Sequence, residues 1–421
     1  MLNRVIIICV FSTLFFSSYV LFKEPFEFYL PYLFILLLLP FLAFKNKFPI
    51  KVMGLFLLMV LPAFFSISVG DNTYALFFKI FLNILISVLF YYYIFQVYKL
   101  DVMTLFSYYM KGALIISIIG LIQFVSYKIG FTYGYDYHWI GLNKWGVSYG
   151  GSFGIRINSI FSEPSYFGGT ISAAFFVALY NLISRNTYFI NSFQSFLIIV
   201  VYFLTFSSVS YFGVFISLIL IMVNMGLVRY VLIFTPIILG SYYYLYTNVA
   251  EFRDRVDGLD ALYDGQVKKI GNVHGSSFVQ YNNFHVATEN LKKNPLFGTG
   301  LGSHQIAYDK YSLAKQFKVT DDFNKSDGNS MFIRLMSETG LVGLIFMFLF
   351  IRKYFVLRNP KNKDDFLWLI SSGALVVILL QLFRQGNYTY NGFMFYMWLY
   401  YYTKVISRNN AREFENDLLE K

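Results

Sequence analysis

Apolar stretches about as long as a bilayer is thick recur along this chain, and that recurrence limits the folds open to it. Crossing the hydrocarbon core as a helix takes roughly 20 apolar residues at about 1.5 Å rise each. Residues 5–22, 26–44, 52–69, 74–98, 102–129, 165–183, 190–207, 211–226, 230–247, 330–354, 366–383 and 391–406 meet that requirement. The expected architecture is an all-α polytopic membrane protein of about twelve transmembrane helices, with a large helical extracytoplasmic loop. Residues 1–129 would carry the first five spans, 165–247 the next four and 330–406 the last three, leaving 407–421 as a cytoplasmic tail. The first stretch resembles a signal peptide, but it is long for one and no small-residue cleavage site follows. It reads as a transmembrane helix.

Lysine and arginine collect on the cytoplasmic side of membrane proteins. With the N-terminus inside, the inner loops contain Lys45, Lys47, Lys51, Lys99, Arg185 and Arg229. The longest inner loop adds Arg352, Lys353, Arg358, Lys361 and Lys363, and the tail adds Lys404, Arg408 and Arg412. The outer turns 70–73 and 207–210 have none. This pattern puts both termini in the cytoplasm and accounts for a formal net charge of +11 without nucleic acid as a partner. Both long loops, 130–164 and 248–329, would then face outward. In the second, 276–293 reads as a helix with Phe278, Tyr281, His285, Thr288 and Leu291 on one stripe, stopped by Asn294-Pro295. Ser303 is placed to cap a helix running toward Lys318. The single cysteine, Cys9, lies in the first stretch, so no intrachain disulfide holds the loops.

Several residues carry chemistry. Gly298, Gly300 and Gly302 superficially resemble a phosphate loop, but no strand precedes them and no Lys-Ser/Thr follows; a tight turn at the membrane surface fits better. His274, His285 and His304 are too far apart for a zinc pattern and have no cysteine beside them, so neither a metal nor a cofactor is expected. His304, after the glycine turn, is the histidine best placed for acid or base work. Arg156, Arg334 and Arg384 all fall near outer helix ends. A guanidinium fork suits phosphate oxygens in two-point contact, so together they suggest a pyrophosphate. Glu338, four residues after Arg334, could simply pair with it. Glu163, just before Pro164 at a helix start, would favour the helix dipole or act as a base or sugar ligand. Tyr133, Tyr135, Tyr137, Trp139, Trp145 and Tyr149 would offer faces for sugars to stack on, or form an interfacial aromatic belt.

Three segments resemble the bacterial O-antigen polymerase and ligase superfamily. They are Arg156-Ile-Asn-Ser-Ile-Phe-Ser-Glu-Pro-Ser-Tyr-Phe-Gly-Gly, Asn294-Pro-Leu-Phe-Gly-Thr-Gly-Leu-Gly-Ser-His304, and Asn329-Ser-Met-Phe-Ile-Arg-Leu-Met-Ser-Glu-Thr-Gly-Leu-Val-Gly-Leu344. Leu204-Thr-Phe-Ser-Ser is similar to a further family turn, with Ser208 where the family has arginine. The resemblance implies inverting, metal-independent glycosyl transfer on the outer face of the bacterial inner membrane. Its donor would be a glycan on undecaprenyl pyrophosphate. Arg156, Arg334 and Arg384 would hold the departing pyrophosphate, and Glu163, His304 or Glu338 would serve as catalytic base or acceptor contact. A flippase and a chain-length regulator would be its partners in the bilayer.

Ligases of this family typically have His-Asn where this chain has Gly328-Asn329, which favours a repeat-unit polymerase of O-antigen, capsule or exopolysaccharide. Asp327, Glu338 or His304 would then stand in for the missing base. The rivals are a ligase and a lipid-linked oligosaccharide flippase, though the large outer loop argues against a flippase. A metal-dependent C-type glycosyltransferase would have an acidic motif in its first outer loop, where this chain offers only Glu24-Pro-Phe-Glu27.

Overall fold

Each of the apolar stretches is occupied by a helix in the computed structural model, which describes residues 2–23, 27–150, 154–227, 231–248, 253, 256–257, 260, 275–314, 323–359 and 365–419. The helices are α1 (Leu2–Phe15), α2 (Leu30–Lys45), α3 (Ile50–Ser68), α4 (Tyr74–Val97), α5 (Val102–Lys128), α6 (Thr132–Tyr135), α7 (Pro164–Ser184), α8 (Ser192–Leu204), α9 (Ser208–Asn224) and α10 (Val231–Asn248). After them come α11 (Gly275–Lys293), α12 (His304–Tyr311), α13 (Met331–Tyr354), α14 (Phe366–Arg384) and α15 (Phe393–Leu419). Among the described residues, five are long and apolar enough to cross a membrane: α4, α5, α7, α13 and α14. The protein is accordingly a mostly helical membrane protein.

Local sequence sets where these helices begin. Thr73 accepts from the Leu76 amide at 3.3 Å and Asp101 from the Thr104 amide at 2.9 Å, capping α4 and α5. Asn191 and Gln194 form a reciprocal capping box at the start of α8. Ser330 accepts from the Ile333 amide at the start of α13.

The first span is shorter than expected. Instead of running through residues 5–22, α1 stops at Phe15 after 14 residues, about 21 Å of helix against a hydrocarbon core of about 30 Å. Beyond it the chain forms β1 (Val20–Phe22), antiparallel to β2 (Phe28–Tyr29). The Asn143 side chain fastens this ribbon, accepting from the Val20 amide at 2.9 Å and donating to the Val20 carbonyl at 2.6 Å. A second ribbon pairs β3 (Ser148–Tyr149) with β4 (Ile155–Arg156). At the other terminus α15 continues past residue 406, where a tail was expected, because Ala411, Arg412, Glu413 and Leu418 favour helix.

α7 and α14 form the centre of the bundle. Small residues allow their close approach: a Cβ on Gly373 would lie 3.2 Å from the Cβ of Ala173. Both helices are buried along most of their length. Their packing brings the start of α7, the start of α13 and the end of α14 to one end of the bundle. Gln385 donates to the Ser165 carbonyl at 3.4 Å and Ser330 to the Leu382 carbonyl at 2.6 Å.

Candidate functional site

α13 is broken at its tenth residue. Gly340 has φ 60° and ψ −157°, a conformation essentially confined to glycine. The glycine loop 295–302 fills the break. Thr299 and Gly300 amides donate to the Ser337 and Glu338 carbonyls at 3.2 and 2.8 Å, while Leu341 and Val342 amides donate to Pro295 and Leu296 carbonyls at 2.9 and 3.0 Å. Backbone groups released by the break are thus satisfied within the protein, as a membrane interior demands. A Cβ on Gly298 would sit 2.6 Å from the Ser337 carbonyl oxygen, and one on Gly302 would sit 2.6 Å from the Leu76 carbonyl oxygen. The glycines therefore serve close backbone packing, joining α13 to α4.

This break holds Glu338 at the end of a short half-helix. Arg334 is 3% exposed and Glu338 0%; Arg334 Nε donates to Glu338 Oε1 at 2.8 Å. Arg334 Nη1 also donates to the Gly386 carbonyl at 3.1 Å, and its guanidinium lies 4.4 Å from the Tyr388 ring centroid. Tyr388 donates its hydroxyl to Glu338 Oε2 at 2.9 Å. Burial, followed by the Glu338 charge, raises the Tyr388 hydroxyl well above its ordinary pKa and keeps it a donor. Both carboxylate oxygens of Glu338 therefore accept hydrogen bonds, one from Arg334 and one from Tyr388.

Arg334 lines a cavity of about 750 Å³ at that end of the bundle. Lys79 and Asp327 line it too, with Glu27, Asn83 and Asn387, and Tyr29, Tyr32, Tyr388 and Tyr390 supply aromatic walls. Asp327 uses Oδ1 to accept from the Asn329 amide and the Asn324 side chain, both at 3.0 Å.

His304 is fully buried and begins α12. Its Nε2 meets Asn283 Oδ1 at 3.0 Å; because the Asn283 amide nitrogen donates to two carbonyls, the histidine nitrogen must be the donor. Nδ1 is therefore the unprotonated nitrogen, and it has no hydrogen-bond partner among the described residues. Burial, and secondarily the Arg334 charge, lowers its pKa to about 3, so the ring is neutral near pH 7. A Cβ on Gly328 would lie 3.1 Å from His304 Nε2, so this imidazole occupies the space into which a side chain at position 328 would project.

The remaining candidates are distributed differently from the expected cluster. Glu163 is exposed at the start of α7 and accepts from the Ser165 hydroxyl at 2.9 Å. Arg156 lies on β4, beside the α8–α9 turn to which Ile157 bonds through the Leu204 carbonyl at 3.2 Å. Arg384 ends α14 and donates to Gln280 on α11 at 2.9 Å, lining a separate groove of about 700 Å³. Arg156 and Glu163 line neither cavity. Two of the six loop aromatics, Tyr137 and Trp145, are buried around Leu142; Tyr133, Trp139 and Tyr149 are exposed.

Of the expected α11 stripe Phe278 is buried, but Tyr281, His285, Thr288 and Leu291 are only half-buried, and most of the buried face is rotated from it. Asn282, Asn283, Val286, Ala287 and Asn290 face inward because the asparagines bond loop and α13 backbone, including Asn290 to the Ser337 carbonyl at 2.9 Å. α12 ends at Tyr311, and Ser303 donates to the Gly300 carbonyl at 2.7 Å rather than capping it. His274 and Lys318 lie outside the described residues.

Sequence reasoning passed over Lys79. The available signal was a lone cation in the second turn of the otherwise uncharged stretch 74–98, where an ionisable residue is a functional candidate. No protein-family model matches the chain, and comparison with curated proteins finds no match.

Proposed function

We propose that this protein is a polysaccharide repeat-unit polymerase of the bacterial cytoplasmic membrane, with cytoplasmic termini and its site on the outer face. The observation carrying this reading is the fixed, buried Arg334 edging a cavity that also contains Lys79, Asp327 and aromatic walls. In the reaction, a hydroxyl oxygen of one lipid-linked repeat unit attacks the anomeric carbon of another unit's glycan. The bond from that carbon to the pyrophosphate oxygen breaks, and configuration inverts. Arg334 and Lys79 take up the charge on the departing undecaprenyl pyrophosphate. Asp327 receives the hydroxyl proton. Glu338 positions Arg334, and Glu163 and Arg156, on the same end of the bundle, guide the glycan.

A ligase reading has one observation in its favour, the imidazole of His304 filling the space beside Gly328. That ring is neutral and fully buried, which makes it a weak proton acceptor. The surface and lipid-linked glycans of a deletion strain, resolved as a gel ladder, discriminate the two. The polymerase requires single repeat units on the normal anchor, and Arg334→Gln supplied at normal abundance should fail to restore the ladder. Long polymer accumulating on the lipid would identify a ligase, and an unchanged ladder would remove both.

A further inference from the structure

The first turn of α13 is a wall between two cavities of similar size. Ser330, Phe332 and Ile333 face the groove of about 700 Å³, whereas Arg334 faces the cavity of about 750 Å³. Their chemistry differs. Among the described residues, the groove has one formally charged side chain in its lining, Arg384, and no carboxylate. The cavity has Lys79 and Arg334 together with Asp327 and Glu27. From Arg384 the groove continues along Leu379 and Phe383 of α14 and Phe212 and Ile216 of α9, each pair four residues apart and so aligned along its helix. A cationic end joined to an apolar track fits an amphiphile with an anionic head and a hydrocarbon chain.

We propose that the Arg384 groove binds the lipid anchor of a second lipid-linked glycan, the acceptor, while the Arg334 cavity binds the donor. This rests on the polymerase reading above. In polymerisation only the donor's bond between anomeric carbon and pyrophosphate breaks; the acceptor keeps its pyrophosphate and loses one hydroxyl proton from its distal sugar. The donor site therefore needs a proton acceptor beside its cations, and Asp327 is there. The acceptor's anchor needs only an anion contact and room for its chain, and the groove offers those two. The acceptor glycan has to cross one helix width, about 10–12 Å, to bring its hydroxyl into the cavity.

Native mass spectrometry of the full-length protein in phosphatidylcholine nanodiscs, with undecaprenyl pyrophosphate as the probe, tests the assignment. Wild type should bind two lipids. Leu379→Trp, which fills the apolar track, should bind one, and Arg384→Gln should weaken one of the two roughly tenfold. Arg384→Gln keeps the test decisive if the tryptophan variant fails to fold. One lipid on wild type would overturn the proposal, as would two lipids at unchanged affinity on both variants. Displacement of the second lipid by phosphatidylglycerol would also overturn it, identifying a site for bulk anionic lipid. The deletion-strain ladder tests the polymerase itself, so the two ideas can fail separately.

Discussion

Gly340 and Gly298 meet backbone to backbone: a Cβ on Gly340 would fall 2.7 Å from the Gly298 nitrogen. Around this contact the glycine loop hydrogen-bonds to the α13 backbone on both sides of the break and holds the half-helix that bears Arg334 and Glu338. Broken membrane helices are tolerated where neighbouring protein supplies the missing hydrogen bonds, and loop 295–300 supplies them here.

Gly340→Ala should therefore be strongly destabilising. The backbone conformation alone costs about 1–3 kcal/mol for a residue with a Cβ, and the contact with Leu296 and Gly298 adds to it. Gly54→Ala is the matched control, since nothing lies within 4 Å of the added carbon. Thermal unfolding in detergent should show a large loss for the first and little change for the second. Equal melting temperatures would mean that the break in α13 is not required.

Removing one member of the buried ion pair should cost more than removing both. Glu338→Ala strands a buried guanidinium, at about 3–5 kcal/mol. Arg334→Met combined with Glu338→Leu should recover most of that stability. The double variant should still fail to restore the glycan ladder, because the cation facing the cavity is gone. A stable double variant that builds a normal ladder would remove Arg334 from the mechanism.

Stability should fall in mild acid because of His304. Its pKa drops from 6.5 in the unfolded chain to about 3 in the folded one, so below pH 6.5 the unfolded state gains a proton that the folded state refuses. The stabilisation is fully present above pH 6.5 and is lost as pH falls toward 3, by about 2 kcal/mol at pH 5. His304→Asn should flatten this part of the profile relative to wild type, as measured by denaturation between pH 8 and pH 5. A slope identical in both proteins would exclude the histidine as its source.

Orientation can be checked with single cysteines in a Cys9→Ser background. Tyr133 and Leu357 are well exposed, in the loops that the charge pattern assigns to opposite sides. Tyr133→Cys should react with a membrane-impermeant maleimide in intact cells, and Leu357→Cys only after permeabilisation. The reverse pattern would invert the topology and put the Arg334 cavity on the cytoplasmic side.

Much of the helical framework was legible in the sequence because its causes are local. Apolar run length located the helices, Asn294-Pro295 ended α11, and Pro164 began α7. The first helix stops short of Phe22 although Val5 to Phe22 carries no charge, because Val20 pairs with Tyr29 and is held by Asn143, a residue far along the chain. The α11 stripe was misjudged for a related reason: asparagines count as polar in any periodicity, yet here they are buried against carbonyls that only the folded loop presents.

By itself, the sequence determined that this chain forms long apolar helices, that Arg334 and Glu338 fall one turn apart, and that glycines gather before α12. Which functional groups share a cavity was decided only by the tertiary structure. Arg334 looks into one space and Arg384 into another because the first turn of α13 stands between them, while Lys79 and Asp327, from opposite halves of the chain, face the same space as Arg334. Spacing along a helix sets which side chains can meet on that helix. Contacts between helices depend on how Gly298, Gly302, Gly340 and Gly373 let backbones approach, and no local pattern encodes which partner each will meet.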